Sequence, residues 1–67
     1  MNKLKKLREN REISQSQLAS IIGVSQKTVS AWEVGRRNPK PRELQKLEDV
    51  FGVAKEEIFF NLFSYKM

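Results

Sequence analysis

The chain has 67 residues, with 13 lysines and arginines against 8 aspartates and glutamates, and it contains neither cysteine nor histidine. This length holds one domain, and a domain of about 60 residues buries only about 60% of the surface that its unfolded chain exposes. Without cysteine or histidine the chain has no disulfide, no thiolate or imidazole metal ligand and no nucleophile–histidine pair. We therefore expect a small apolar core, no enzyme activity and no cofactor or metal.

The positive charge is unevenly distributed along the chain. Residues 1–42 carry ten basic and three acidic side chains, whereas residues 43–67 carry three basic and five acidic ones. This asymmetry favours a surface that faces a polyanion such as nucleic acid. On charge alone, an ordinary solvated surface is the alternative.

The chain contains no apolar run that approaches the roughly 20 residues needed to span a bilayer. The basic segment 1–6 is not followed by the apolar stretch of a signal peptide. We therefore expect a protein that is neither secreted nor membrane-spanning, and the lack of cysteine fits a reducing cytoplasm.

Apolar spacing and capping residues predict the first two helices. The first runs over about 2–11, where Leu4 and Leu7 form a short apolar stripe among basic residues. The second runs over about 15–22, with a capping box at its start and Gly23 at its end. Its core stripe has the i, i+3, i+4 spacing: Leu18, Ile21 and Ile22.

The third helix is predicted over about 26–33, with Ser25 as its N-cap. Val29 and Trp32 lie three residues apart and face inward, so Trp32 is expected in the core rather than stacked on a base. A helix this short with two apolar anchors is marginal alone, and its neighbours must hold it. Its outer face is free for binding and carries Gln26, Lys27, Ser30 and Ala31.

A basic loop over 34–40 separates these helices from two further ones. The fourth helix runs over about 41–51 and the fifth over about 55–62. Their core faces hold Leu44, Leu47, Val50 and Phe51, then Ile58, Phe59 and Leu62. No strand is evident, and the predicted fold class is all-α.

Two helices joined by a short glycine turn, over about 15–33, are typical of a helix-turn-helix unit. Ala19 is small enough for a close helix crossing, and Gly23 turns the chain between the helices. The second helix of such a unit fits the major groove of B-DNA, which is about 12 Å wide.

Five motifs in fixed order make the chain, over roughly residues 2–60, similar to the Cro/phage-repressor-type (XRE) helix-turn-helix proteins. They are Leu-Arg-Glu-Asn-Arg at 7–11, Ile-Ser-Gln-Ser-Gln-Leu-Ala at 13–19, Gly-Val-Ser at 23–25, Trp-Glu-Val-Gly-Arg-Arg-Asn-Pro at 32–39 and Phe-Gly-Val at 51–53. The resemblance implies a compact five-helix bundle of the lambda-repressor-like kind, sequence-specific DNA binding and a dimer on an inverted repeat.

The resemblance implies that the third helix reads base edges. Glutamine can bond adenine N6 and N7 together, lysine reaches guanine or a phosphate, and an alanine methyl suits thymine. The implied base-reading residues are Gln26, Lys27, Thr28, Ser30 and Ala31. Taken alone, Gln26 and Lys27 fit ordinary exposed helix residues better than base-reading ones, and only the surrounding motif favours the functional interpretation.

A second implied group contacts phosphates and positions the protein without reading sequence. Its members are Gln15, Ser16, Ser25, Arg36, Arg37, Asn38 and Lys40. Gln15 also corresponds to a residue that braces the first base-reading residue, Gln26. The resemblance further pairs Glu33 with Arg8, which makes Glu33 structural rather than functional.

We assign residues 1–62 to the DNA-binding domain and residues 59–67 to an aromatic C-terminal tail. This tail is rich in apolar side chains, and Phe60, Phe63 and Tyr65 are predicted to form a self-complementary dimer patch. Simple packing on the core and, with less support, a membrane-surface helix are the alternatives.

The sequence therefore predicts a cytoplasmic regulator that binds double-stranded DNA as a homodimer, is nucleoid-associated when bound, and represses from a palindromic operator. It predicts neither a membrane nor a small-molecule partner. The first alternative is an antitoxin-type protein-binding module that also binds DNA, with the tail holding a toxin. The second is a general nucleic-acid binder that acts through charge alone.

Overall fold

The structure, a computed structural model, describes residues 2–60 and residue 62. Five helices follow one another along the chain: α1 (Leu4–Asn10), α2 (Gln15–Ile22), α3 (Gln26–Glu33), α4 (Pro41–Phe51) and α5 (Lys55–Ile58). The described residues contain no strand, which confirms the all-α prediction. None of the described helices has the length and apolar character needed to cross a membrane.

Capping interactions explain why α2 and α3 begin and end where the sequence predicts. Ser14 and Gln17 form a reciprocal capping box at the start of α2. Ser25 accepts the backbone N–H of Thr28 at 3.2 Å and starts α3. Between the helices, Gly23 has a φ of +91°, a left-handed conformation that side chains with a Cβ rarely adopt.

The first and last helices are shorter than predicted because the backbone next to them does not continue the helix. Before α1, Asn2 accepts the N–H of Leu4 at 3.0 Å and donates to the Trp32 carbonyl at 2.8 Å. After α5, the backbone of Phe59 departs from helical angles and its ring is buried in the core. The hydrogen bond from Asn2 to Trp32 thereby joins the N-terminal segment to the end of α3.

One core enclosed by all five helices contains nearly all the apolar side chains predicted to lie inside. Trp32 is almost wholly buried, which confirms its core position. The buried cluster consists of Leu4, Leu18, Ala19, Ile22, Val29, Trp32, Leu44, Leu47, Phe51, Ile58 and Phe59. The core therefore holds one face of α3 and leaves its opposite face outside.

The prediction that Ile21 belongs to the core is wrong, because its side chain is 53% exposed. The buried face of α2 is formed by Leu18, Ala19 and Ile22. At about 100° per residue, the centre of that face lies roughly 110° from Ile21, which therefore points to solvent.

A buried ion pair joins α1 to α3, as predicted. Arg8 Nε donates to Glu33 Oε2 at 2.6 Å, and Arg8 Nη2 donates to Glu33 Oε1 at 3.2 Å. Arg8 Nη1 also donates to the Ile13 carbonyl at 2.8 Å. The hydrogen bond to Glu33 raises the pKa of Arg8 above its usual value, against desolvation, which lowers it.

Two basic side chains tie α4 to the rest of the bundle through backbone carbonyls. Arg11 donates to the carbonyls of Val50 and Phe51 at the end of α4, and its guanidinium lies 5.6 Å from the Phe51 ring centroid. Lys46 donates to the Ile22 carbonyl at the end of α2, at 3.1 Å. These cations thus satisfy carbonyls that a helix leaves unpaired at its C-terminal end.

Substitution of Glu33 by glutamine is expected to lower the free energy of unfolding by about 3–5 kcal/mol, because the Arg8 charge is left buried and unpaired. Urea denaturation followed by circular dichroism measures this difference. The apolar pair Arg8→Met with Glu33→Leu removes both charges and is expected to recover most of the loss. A double variant that is no more stable than Glu33→Gln contradicts a cost due to the unpaired charge.

Candidate nucleic-acid interface

The turn between α2 and α3 fixes how the two helices cross. The backbone N–H groups of Gly23 and Val24 both donate to the Ala19 carbonyl, at 2.8 and 2.9 Å. Ala19 is itself buried, and its small side chain lets α3 lie close across α2. This two-helix arrangement is a helix-turn-helix unit over residues 15–33.

The outward face of α3 forms a continuous surface, here called the α3 outer stripe. Its members recur at helical spacing on the side opposite Val29 and Trp32, and their side chains are mostly polar or cationic. The α3 outer stripe consists of Gln26, Lys27, Ser30, Ala31 and Val34. Gln26 and Lys27 are exposed, whereas Ser30, like the neighbouring Thr28, is half-buried.

The prediction that Ala31 lies on the free outer face of α3 is wrong in one respect, because its side chain is only 9% exposed. After α3 the chain folds back, and the N–H groups of Arg36 and Arg37 donate to the Ala31 carbonyl at 2.9 and 3.4 Å. The returning chain shields the last turn of α3. Ala31 consequently lies in a surface depression lined also by Lys27, Ser30, Val34 and Arg36.

Two residues at the start of α2 hold the Gln26 side chain in place. Gln26 Nε2 donates to Gln15 Oε1 at 3.2 Å, and Ser16 Oγ donates to Gln26 Oε1 at 3.3 Å. The contact that the resemblance implied between Gln15 and Gln26 is therefore present. A carboxamide has two N–H donors and two oxygen lone pairs, so Gln26 keeps one of each for a ligand.

Gln15 also connects this surface to the buried ion pair. Its Nε2 donates to Glu33 Oε1 at 2.9 Å, while its Oε1 accepts from Gln26. The Arg8–Glu33 pair, Gln15 and Gln26 thus form one chain of hydrogen bonds from the core to the α3 outer stripe. The sequence motifs implied two of these contacts, but the Gln15–Glu33 bond was not predicted.

The remaining residues predicted to contact phosphates occupy helix starts and the basic loop. Gln15 and Ser16 lie in the first turn of α2, where backbone N–H groups have no intrahelical partner. Ser25 is occupied as the N-cap of α3. Four further members, all exposed, follow α3: Arg36, Arg37, Asn38 and Lys40.

Buried Pro39 anchors the basic loop after α3. The backbone N–H of Lys40 donates to Glu43 Oε1 at 2.8 Å, which fixes the start of α4. With the Arg36 and Arg37 backbones bonded to α3, both ends of the loop are held while its cationic side chains face solvent.

The predicted dimer patch lies only partly within the described residues. Phe60 is 44% exposed, whereas its neighbour Phe59 is buried. Leu62 packs half-buried against the core. Phe63 and Tyr65 lie outside the described residues.

Val34 is a member of the α3 outer stripe that sequence reasoning missed, because it was assigned to the loop. Its side chain is 61% exposed, at the residue that caps the C-terminal end of α3. Continuing the helical spacing from Lys27 by seven residues, to Val34, was the signal that could have revealed it.

Residues 4–58 of the chain match the helix-turn-helix family. This match covers most of the chain, and the chain belongs to that family, of the XRE or Cro type that its motifs resemble. Members of this family are DNA-binding transcriptional regulators rather than enzymes.

Three relatives are similar over most of this chain. It is 35% identical over 57 residues to the cryptic phage CTXphi transcriptional repressor RstR of Vibrio cholerae, and this alignment covers 85% of this chain and 51% of that protein. It is 40% identical over 58 residues to an HTH-type transcriptional regulator of Methanocaldococcus jannaschii, and this alignment covers 87% of this chain and 88% of that protein. The chain is also 30% identical over 54 residues to the SPbeta prophage-derived HTH-type transcriptional regulator YonR of Bacillus subtilis. That alignment covers 81% of this chain and 50% of YonR. The chain thus spans about half the length of the Vibrio and Bacillus relatives.

Proposed function

We propose that this protein is a transcriptional repressor that binds a specific double-stranded DNA sequence through α3. The observation that carries the proposal is the α3 outer stripe, whose first side chain, Gln26, is held in one orientation by Gln15 and Ser16. A glutamine fixed in this way loses little conformational freedom on binding, which favours readout of a base edge. Relatives named as a phage repressor and as transcriptional regulators support the same function.

In this proposal Gln26 reads adenine through its free N–H and lone pair, and Lys27 reads guanine or contacts a phosphate. Thr28 and Ser30 offer hydroxyl groups to the same groove, and Ala31 offers a methyl at the bottom of the depression. The phosphate contacts are assigned to Gln15, Ser16, Ser25, Arg36, Arg37, Asn38 and Lys40. Such contacts set the position of the protein on the duplex and add a salt-dependent affinity.

We further propose that two copies bind a palindromic operator in the cytoplasm. Dimers of helix-turn-helix proteins place two α3-like helices in successive major grooves about 34 Å apart. The exposed Phe60, together with Phe63 and Tyr65 of the tail, is the assigned contact between the copies. A bound dimer then represses by denying the operator region to polymerase.

Selection of bound sites from random duplex DNA is expected to yield a palindromic consensus. At that site Gln26→Ala is expected to reduce discrimination at one base pair about tenfold, since a bidentate glutamine–adenine contact is lost. Arg37→Ala is expected to weaken binding to all duplexes equally and to reduce the salt slope of the dimer by about 1.8, about 0.9 for each copy. Fluorescence anisotropy at several salt concentrations measures both effects.

Lys5→Ala is the matched control for Arg37→Ala, because it removes an exposed positive charge from α1. If selection enriches no sequence, or if Gln26→Ala leaves base preference unchanged, binding through charge alone is the better account. An equal loss of salt slope in Lys5→Ala contradicts a specific role for the basic loop.

Phe60→Asp is expected to shift the protein from dimer to monomer in sedimentation experiments, because a buried carboxylate disfavours an apolar interface. Its affinity for a full palindrome should then fall, whereas that for a single half-site should not. Ile21→Asp is the matched control, since Ile21 is also an exposed apolar residue but lies on α2. A dimer that persists in Phe60→Asp, or is lost equally in Ile21→Asp, contradicts the assigned interface.

A further inference from the structure

The depression beside the last turn of α3 is lined by both aliphatic and cationic side chains. Ala31 and Val34 contribute its aliphatic groups, Ser30 contributes a hydroxyl, and Lys27 and Arg36 contribute the positive charges. The depression has a volume of about 460 Å³ and is open to solvent. It therefore combines a small apolar contact with two groups that attract anions.

Val34 is the last residue of the α3 outer stripe, and around the helix axis its side chain points in the same direction as the rest of the stripe. At 100° per residue, its direction lies within about 40° of Lys27 and Ser30 and on the side opposite Val29 and Trp32. Its side chain is 61% exposed and is not needed for the core. An exposed aliphatic residue at the C-terminal end of a polar, basic face leaves apolar surface for a ligand to cover.

Distance along α3 separates this apolar contact from the glutamine at the start of the helix. Eight residues from Gln26 to Val34 correspond to about 12 Å along the helix axis. Successive base pairs are about 3.4 Å apart along the duplex axis, so two side chains about 12 Å apart along α3 contact different base pairs. The depression is thus positioned to meet a different base pair from Gln26.

We propose that Val34, with Ala31 beneath it, is a specificity-determining contact for the 5-methyl group of a thymine. Thymine alone among the four bases presents a methyl group in the major groove. Lys27 and Arg36, which also line the depression, are assigned to the flanking phosphates. This inference rests on the proposed function and adds to it the base that the C-terminal half of α3 recognises.

The test replaces each thymine of the selected operator, one at a time, by uracil, which lacks only the methyl group. The wild-type protein is expected to lose affinity about fourfold at one thymine per half-site, the factor for burying one methylene-sized group. Val34→Ala is expected to bind the unmodified operator about as weakly as the wild type binds an operator with uracil at that position in both half-sites, since both copies lose the contact. Its affinity should no longer depend on the methyl group at that position.

Val34→Thr is the matched control, because it keeps one methyl group and nearly the same shape, and it is expected to retain most of the uracil sensitivity. This inference is overturned, and the proposed function stays intact, if the protein prefers one sequence but no thymine of it can be replaced by uracil with a loss of affinity. The same holds if Val34→Ala loses as much affinity as the wild type on replacement of thymine by uracil. Loss of dimerisation in Val34→Ala also overturns it, since Val34 then belongs to a protein interface. Absence of any preferred sequence overturns both proposals.

Discussion

The orientation of α3 depends on the buried ion pair between Arg8 and Glu33. Glu33 ends α3, and its carboxylate accepts hydrogen bonds from Arg8 Nε and Nη2 and from the Gln15 amide. A buried ion pair often adds little net stability, yet breaking it is costly, so only one arrangement of α1 and α3 is favourable. The contact between Asn2 and the Trp32 carbonyl secures the same end of α3.

This constraint reaches the surface through Gln15, which bonds Glu33 with its nitrogen and Gln26 with its oxygen. The structure therefore orders the first side chain of the α3 outer stripe before any ligand arrives. A free glutamine loses about 1.5–2 kcal/mol of rotamer entropy when it is fixed. Part of this loss has already occurred on folding, so less remains to be lost when Gln26 binds a ligand. One chain of hydrogen bonds thus joins the buried ion pair to the start of the α3 outer stripe.

Local signals in the sequence were sufficient for the helix-turn-helix unit but not for the details of its surface. Ser14 and Ser25 as caps, each with a fixed geometry, determine where α2 and α3 begin, so those bounds were predictable. The exposure of Ile21 was not, because apolar residues fill several directions of α2 and only packing selects the buried one. The burial of Ala31 depends on how the following loop returns over α3, which periodicity within a helix does not contain. The placement of Val34, by contrast, follows from helical spacing continued one residue past the end of α3.

The central claim is that the α3 outer stripe is the surface that meets DNA, and amide chemical-shift mapping by NMR tests it most directly. The duplex would carry the selected operator, and both backbone and glutamine side-chain amides would be followed during titration. The account predicts that the largest shifts fall on residues 26–31 and 34–37, with smaller ones at the start of α2 and little change across α4 and α5. Shifts concentrated on α4 and α5, with the Gln26 side-chain amide unmoved, would contradict it.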